Sequence, residues 1–143
     1  MERYVGYDAG GYYPGKDFGL VRHYAAAIDE PGNVYEHDST FQDITHSRDA
    51  YVGEFICRSG YRSGKVCGHV RSLGIAAHYS DGPVYNLVST SFCSQGGDSG
   101  GPLYHADAAL GIQSGHITYS TGECYSLFQH VNEALDWYNA EVY

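Results

Sequence analysis

An all-β barrel or sandwich finished by one C-terminal helix is the fold class this sequence predicts, from three observations. Short apolar or alternating runs recur along the chain, turn-forming residues separate them, and helical spacing occurs only at the end. In order, the runs are DFGLVRHY (17–24), YVGEFICR (51–58), KVCGHVRSLG (65–74), VYNLVST (84–90), GPLYH (101–105), ALGIQSG (109–115) and CYSLFQHV (124–131). Seven runs of strand length, with Gly, Asp, Asn and Ser between them, suit an all-β domain. In VNEALDWYNA, Val131, Ala134, Leu135 and Tyr138 follow i, i+3, i+4, i+7 spacing and predict a helix laid on the strands. The 19 glycines and 15 tyrosines suit turns and half-buried pleated surfaces; a lectin-like stacking face would rest on the tyrosines alone.

At 143 residues the chain fits one domain, and a fold of that size buries about 68–70% of the surface of its unfolded chain. The formal charge of −9, with Lys and Arg scattered, argues against a nucleic-acid partner. No stretch approaches the roughly 20 apolar residues of a membrane helix. The opening MERYVGYDAG has no apolar signal region behind a basic one. The four cysteines form two spaced pairs without the two-residue spacing typical of zinc ligands, so disulfides in an oxidising compartment are expected, and no metal or cofactor. Cysteines that indicate secretion, behind an N-terminus that does not, suggest that the front of the protein is missing.

The stretch QGGDSGGPLY (95–104) sets Ser99 among glycines and behind Asp98. A serine hydroxyl becomes a nucleophile when a neighbouring base takes its proton and preorganised donors receive the developing oxyanion. Tight glycine-rich turns can converge backbone N–H groups on one point, so GDSGGP points to a serine hydrolase.

This sequence resembles the chymotrypsin-like serine proteases, in particular the secreted bacterial branch of streptogrisins and α-lytic protease. The resemblance rests on GDSGGP (97–102), CRSGYRSGKVCG (57–68), GIQSG (111–115) and the ending FQHVNEALDWYNAEVY, in that family's order. It implies a trypsin-like double β-barrel with a C-terminal helix. The second barrel (46–143) would be complete and the first (1–45) partial. It further implies that Ser99 attacks the scissile carbonyl and that the amides of Gly97 and Ser99 form the oxyanion hole. Asp98 would be structural and paired with Arg58, and Asp17, opening the run KDFGLVRH, would be the aspartate of the triad. Ser114 and Gly115 would pair with substrate backbone as an added strand. His116 would narrow a subsite, and Gln95 would help line an uncharged specificity pocket. Bridges Cys57–Cys67 and Cys93–Cys124 would close the Arg58 loop and tie the pocket walls.

The same resemblance exposes a gap, because chain order in these proteases is His, then Asp, then Ser. Residues 1–16 contain no histidine, and nothing like TAGHC precedes Asp17. On an extended strand His23 would lie roughly 20 Å from Asp17. His37, His46, His69, His78, His105 and His130 stand beside no catalytic motif. Loss of the base costs about a millionfold in turnover, leaving a residual of about 10³–10⁴ over water. The expectation is therefore a secreted serine endopeptidase acting on peptides or proteins, lacking an N-terminal segment or propeptide and nearly inert as it stands. A pseudoprotease that keeps the groove as a peptide-binding module is the competing reading.

Overall fold

The structure is a computed structural model that describes residues 4–26 and 28–143. Two antiparallel hairpins come first. β1 (Gly6–Tyr12) pairs with β2 (Phe18–His23), and β3 (Asn33–His37) with β4 (Thr40–Asp43), each as a separate two-stranded sheet. Every strand from His46 onward shares one sheet: β5 (His46–Ser47), β6 (Phe55–Gly60), β7 (Gly64–Tyr79), β8 (Gly82–Thr90), β9 (Pro102–His105), β10 (Ala108–Thr118) and β11 (Cys124–His130). The order is β11-β8-β7-β6-β9-β10-β5, and β10 also pairs with β11. Six strands thus close on themselves, and β5 is a short parallel addition to β10. Closure leaves those six without free edges, which open sheets expose to unwanted pairing.

The barrel closes around Ile56, Val70, Val88, Phe92, Leu103, Leu110 and Phe128, with a second cluster of Ala77, Val84, Leu87 and Leu127 joining β7, β8 and β11. Val34 and Ile44 pack the β3–β4 hairpin against Cys57 and Tyr104 on the barrel wall. The β1–β2 hairpin is held differently. Its connecting turn lies along β8, where Gly15 N donates to Pro83 O at 2.7 Å and Tyr85 N to Gly15 O at 2.9 Å. Helix α1 (Val131–Tyr138) covers the same end of the hairpin through edge contacts of Trp137 with Tyr12 and of Tyr138 with Phe18. Tyr138 Oη also donates to Gly10 O at 2.7 Å. The helix stops at Asn139, whose φ of 50° is left-handed and whose amide returns to Asp136 O and Leu135 O, a common terminus.

The seven runs predicted from sequence all become strands, with different limits. The turn signal at Gly74 is absorbed into β7, which continues to Tyr79 through successive register shifts; Gly74 takes φ 70° there, as a bulge demands. β1, β3, β4 and β5 lie outside the runs. β1 is exposed at five consecutive positions, so no inside–outside alternation marked it. No helix among the described residues is long and apolar enough to cross a membrane.

Candidate active site

The loop from Cys93 to Gly101 is built around a buried charge. Asp98 is 1% exposed and Arg58, on β6, 2%. Arg58 Nη1 meets Asp98 Oδ2 at 2.9 Å. The amides of Arg62 and Ser63 donate to Asp98 Oδ1 at 3.0 and 2.9 Å. Gln95 N and Ser63 Oγ donate to Oδ2 at 2.9 and 2.6 Å. Burial alone would raise the Asp98 pKa, but the Ser63 hydroxyl, the Gln95 and Ser63 amides and the Arg58 charge outweigh it and hold the carboxyl well below the usual range. Gln95 thus serves this loop through its backbone: its carbonyl also accepts from Asp98 N at 3.0 Å.

Anchoring Asp98 turns its neighbours outward. Gly97 adopts φ 104°, open to glycine and strained for other residues, and Ser99 is exposed at the following turn. A side chain at Gly101 would put its Cβ 2.6 Å from the Ser59 carbonyl oxygen, so the loop can seat against β6 only with glycine there. Among the described residues neither the Gly97 amide nor the Ser99 amide has a hydrogen-bond partner. Ser99 Oγ lies 3.5 Å from Ser114 O on β10.

Asp17 stands on the opposite wall, held from both ends. Its amide donates to Gln129 Oε1 at 3.0 Å, and the Gln129 amide group in turn donates to Glu133 on α1. Glu133 also takes Lys16 Nζ at 2.7 Å. Ser114 Oγ donates to Asp17 Oδ2 at 2.6 Å and lies 2.9 Å from Tyr79 Oη. A hydroxyl has one proton, so with Ser114 donating to Asp17 the phenol must donate to Ser114. Burial pushes the Tyr79 pKa up, which keeps that proton in place. Asp17, Phe18 and Gly19 then face Ser99, Gly100, Ile112, Gln113 and Ser114 across a cleft of about 350 Å³. A neighbouring cavity of about 500 Å³ shares Asp17, Ser114 and Tyr79 and adds Tyr13, Ser80 and Asp81.

No imidazole among the described residues hydrogen-bonds either Asp17 or Ser99. His23 pairs with Glu30; His105 Nδ1 donates to Phe55 O; His46 and His130 approach Asp107 and Asp49; His116 Nδ1 lies 3.5 Å from Ser94 Oγ. His37 lies tilted against Tyr35, His69 packs edge-on to Phe55, and His78 is exposed on β7. The disulfides Cys57–Cys67 and Cys93–Cys124 are both formed. Sequence reasoning missed Gln129, Glu133, Tyr79 and Ser63. Only Gln129 left a trace, as a polar residue inside the apolar run CYSLFQHV, where it is fully buried.

An exposed serine beside two unpartnered amides, with an oriented carboxylate across the cleft, matches part of the serine-hydrolase template. The Trypsin family model matches residues 10–138, and the chain belongs to that family. It is 38% identical over 97% of its length to Serine protease 1 of Streptomyces fradiae, of which it covers 39%. It is 37% identical to Glutamyl endopeptidase 2 of Streptomyces griseus, over 97% of this chain and 73% of that one. Among solved structures, a glutamic acid specific serine protease described as using a novel histidine triad in substrate binding superposes with TM-score 0.90 and 38% identity, over 97% of this chain and 74% of that one. The chymotrypsin of Cellulomonas bogoriensis follows at TM-score 0.89 and 31% identity, over 96% and 75%. The chain spans less than half the length of Serine protease 1 and of Streptogrisin-A of Streptomyces griseus, 39% and 46%. The fold is trypsin-like, one barrel closed and the other represented by its hairpins.

Proposed function

We propose that this chain carries the nucleophile, the oxyanion hole and the orienting carboxylate of a serine endopeptidase, and that the general base comes from outside its 143 residues. The supporting observation is that Asp17 and Ser99, far apart in sequence, line one cleft without touching, while no histidine among the described residues hydrogen-bonds either. An imidazole between them would accept the Ser99 proton as its oxygen attacks a peptide carbonyl. Asp17 would hold the ring's other N–H and stabilise the cation, and the Gly97 and Ser99 amides would receive the oxyanion. Collapse transfers the proton to the leaving amine and leaves an acyl-enzyme for water to cleave. Alone, the chain binds peptides and hydrolyses them only at a residual rate. Two disulfides suit an oxidising, extracellular setting.

The other reading, a peptide-binding pseudoprotease, draws on the same missing imidazole. The glutamate preference named for the structural neighbour does not carry over readily, since His116 meets Ser94 here rather than a second histidine. Labelling with a fluorophosphonate separates the readings. The expected result is no labelling of this chain and labelling of Ser99 once a histidine-bearing first-barrel segment is joined ahead of residue 1. Failure in both forms would favour the binding module, and ready labelling of the chain alone would contradict both.

A further inference from the structure

Two of the buried side-chain atoms without a hydrogen-bond partner among the described residues lie on the strands behind the nucleophile. Gln113, on β10 and 4% exposed, donates through its two Nε2 protons to Gly115 O at 2.7 Å and to Ser94 Oγ at 3.1 Å, with Leu127 O at 3.5 Å. Carbonyl oxygens only accept, so these contacts fix which end of the amide is nitrogen. Its Oε1, buried, therefore meets no donor among the described residues. Ser126 Oγ is likewise buried and unpaired. Ser126 stands opposite His116 in the β10–β11 register, and His116 Nδ1 and Gln113 Nε2 both approach Ser94 Oγ. The Cys93–Cys124 bridge fastens the two segments that carry Ser94 and Ser126. Buried polar atoms without partners are uncommon in folded proteins, and two in one cluster point to a ligand that supplies what is absent.

We propose that Gln113, with Ser94 and Ser126, reads the substrate residue on the acyl side of the scissile bond, and that this pocket selects an uncharged carboxamide, glutamine above all. The inference rests on the peptide-groove reading above and sharpens its substrate class. A carboxamide matches the unpaired atoms in kind. Its NH₂ donates to Gln113 Oε1, while its carbonyl accepts from the hydroxyl of Ser126 or of Ser94, whose oxygen is already engaged by Gln113. A carboxylate would set oxygen against oxygen at Oε1. An ammonium or guanidinium would find no free carboxylate, because Asp98, the acid in this loop, is committed to Arg58. A thioether fits in size but leaves both atoms unpaired.

The test is calorimetric binding of acetylated pentapeptides identical except for a C-terminal Gln, Met, Glu or Lys, which requires no turnover. The Gln peptide should bind about tenfold more tightly than the other three, the worth of one or two hydrogen bonds. Gln113→Met should abolish that preference while the Met peptide binds unchanged, with folding checked by thermal unfolding. Should Gln113→Met not fold, Ser126→Ala decides, with a loss of several-fold for the Gln peptide only. Equal affinity for all four peptides, or a preference that survives both substitutions, overturns the inference and leaves the groove standing. Failure of all four to bind removes the groove as well.

Discussion

The Asp98 carboxylate touches no reacting atom, yet it holds the loop on which Ser99 stands. Paired with Arg58 and saturated by three amides and a hydroxyl, it is a buried charge whose partners repay the cost of removing it from water. Arg58→Ala should therefore cost about 3–5 kcal/mol in denaturant unfolding, because it strands the carboxylate rather than deleting a surface pair. A carboxyl whose folded pKa lies below its unfolded one stabilises the fold above the unfolded value, and that stability drains away as acid protonates it. For Asp98 the loss should begin near the ordinary value of 3.8 and continue below it; in Asp98→Asn, already weakened at neutral pH, the acid limb should be shallower. Residues of this kind differ in what sequence reveals. Ser99 was legible because its glycine neighbourhood is chemically unusual. Gln113 and Gln129 were not, because a buried amide is defined by partners on other strands, which one sequence does not show.

The element that matters most to Asp17 is α1, although it carries no catalytic group. Through Glu133 it takes Lys16 and Gln129, and through Trp137 and Tyr138 it caps the β1–β2 hairpin. Burial would raise the Glu133 pKa, but Lys16, Asn86 and Gln129 outweigh it and hold the group low, so the clamp stays charged at neutral pH. Trp137→Ala should remove an edge contact worth about 0.5–1.5 kcal/mol beyond its buried area. Hydrogen exchange should then quicken in β1 and β2 while β6 to β11 keep their protection; uniform quickening would show that the hairpin and barrel open together. The helix was readable from its 3.6-residue period. Its partner β1 was not, since a glycine-rich strand exposed on both faces has no period to read. β7 was readable only as far as Gly74, because a glycine that ends most strands here makes a bulge instead.

At the scale of the molecule, a closed six-stranded barrel carries Ser99, and the β1–β2 hairpin docked on it carries Asp17. Tyr7 and Val21 remain exposed on that hairpin, so the wall bearing Asp17 is less enclosed than the wall bearing Ser99. The fold class and the order of motifs were legible because strand spacing and the nucleophile loop are local signals. Assembly of the cleft was not, because it depends on Gly15 lying against β8 and Gln129 reaching Asp17. On the reading proposed above, this cleft lacks only a proton acceptor. The most direct test of that reading is the rate of Ser99 labelling by a fluorophosphonate as free imidazole is added to the unaltered chain. Labelling should rise with imidazole, fall sharply in Asp17→Ala and vanish in Ser99→Ala. Labelling that proceeds without imidazole and is lost in His116→Ala would contradict it.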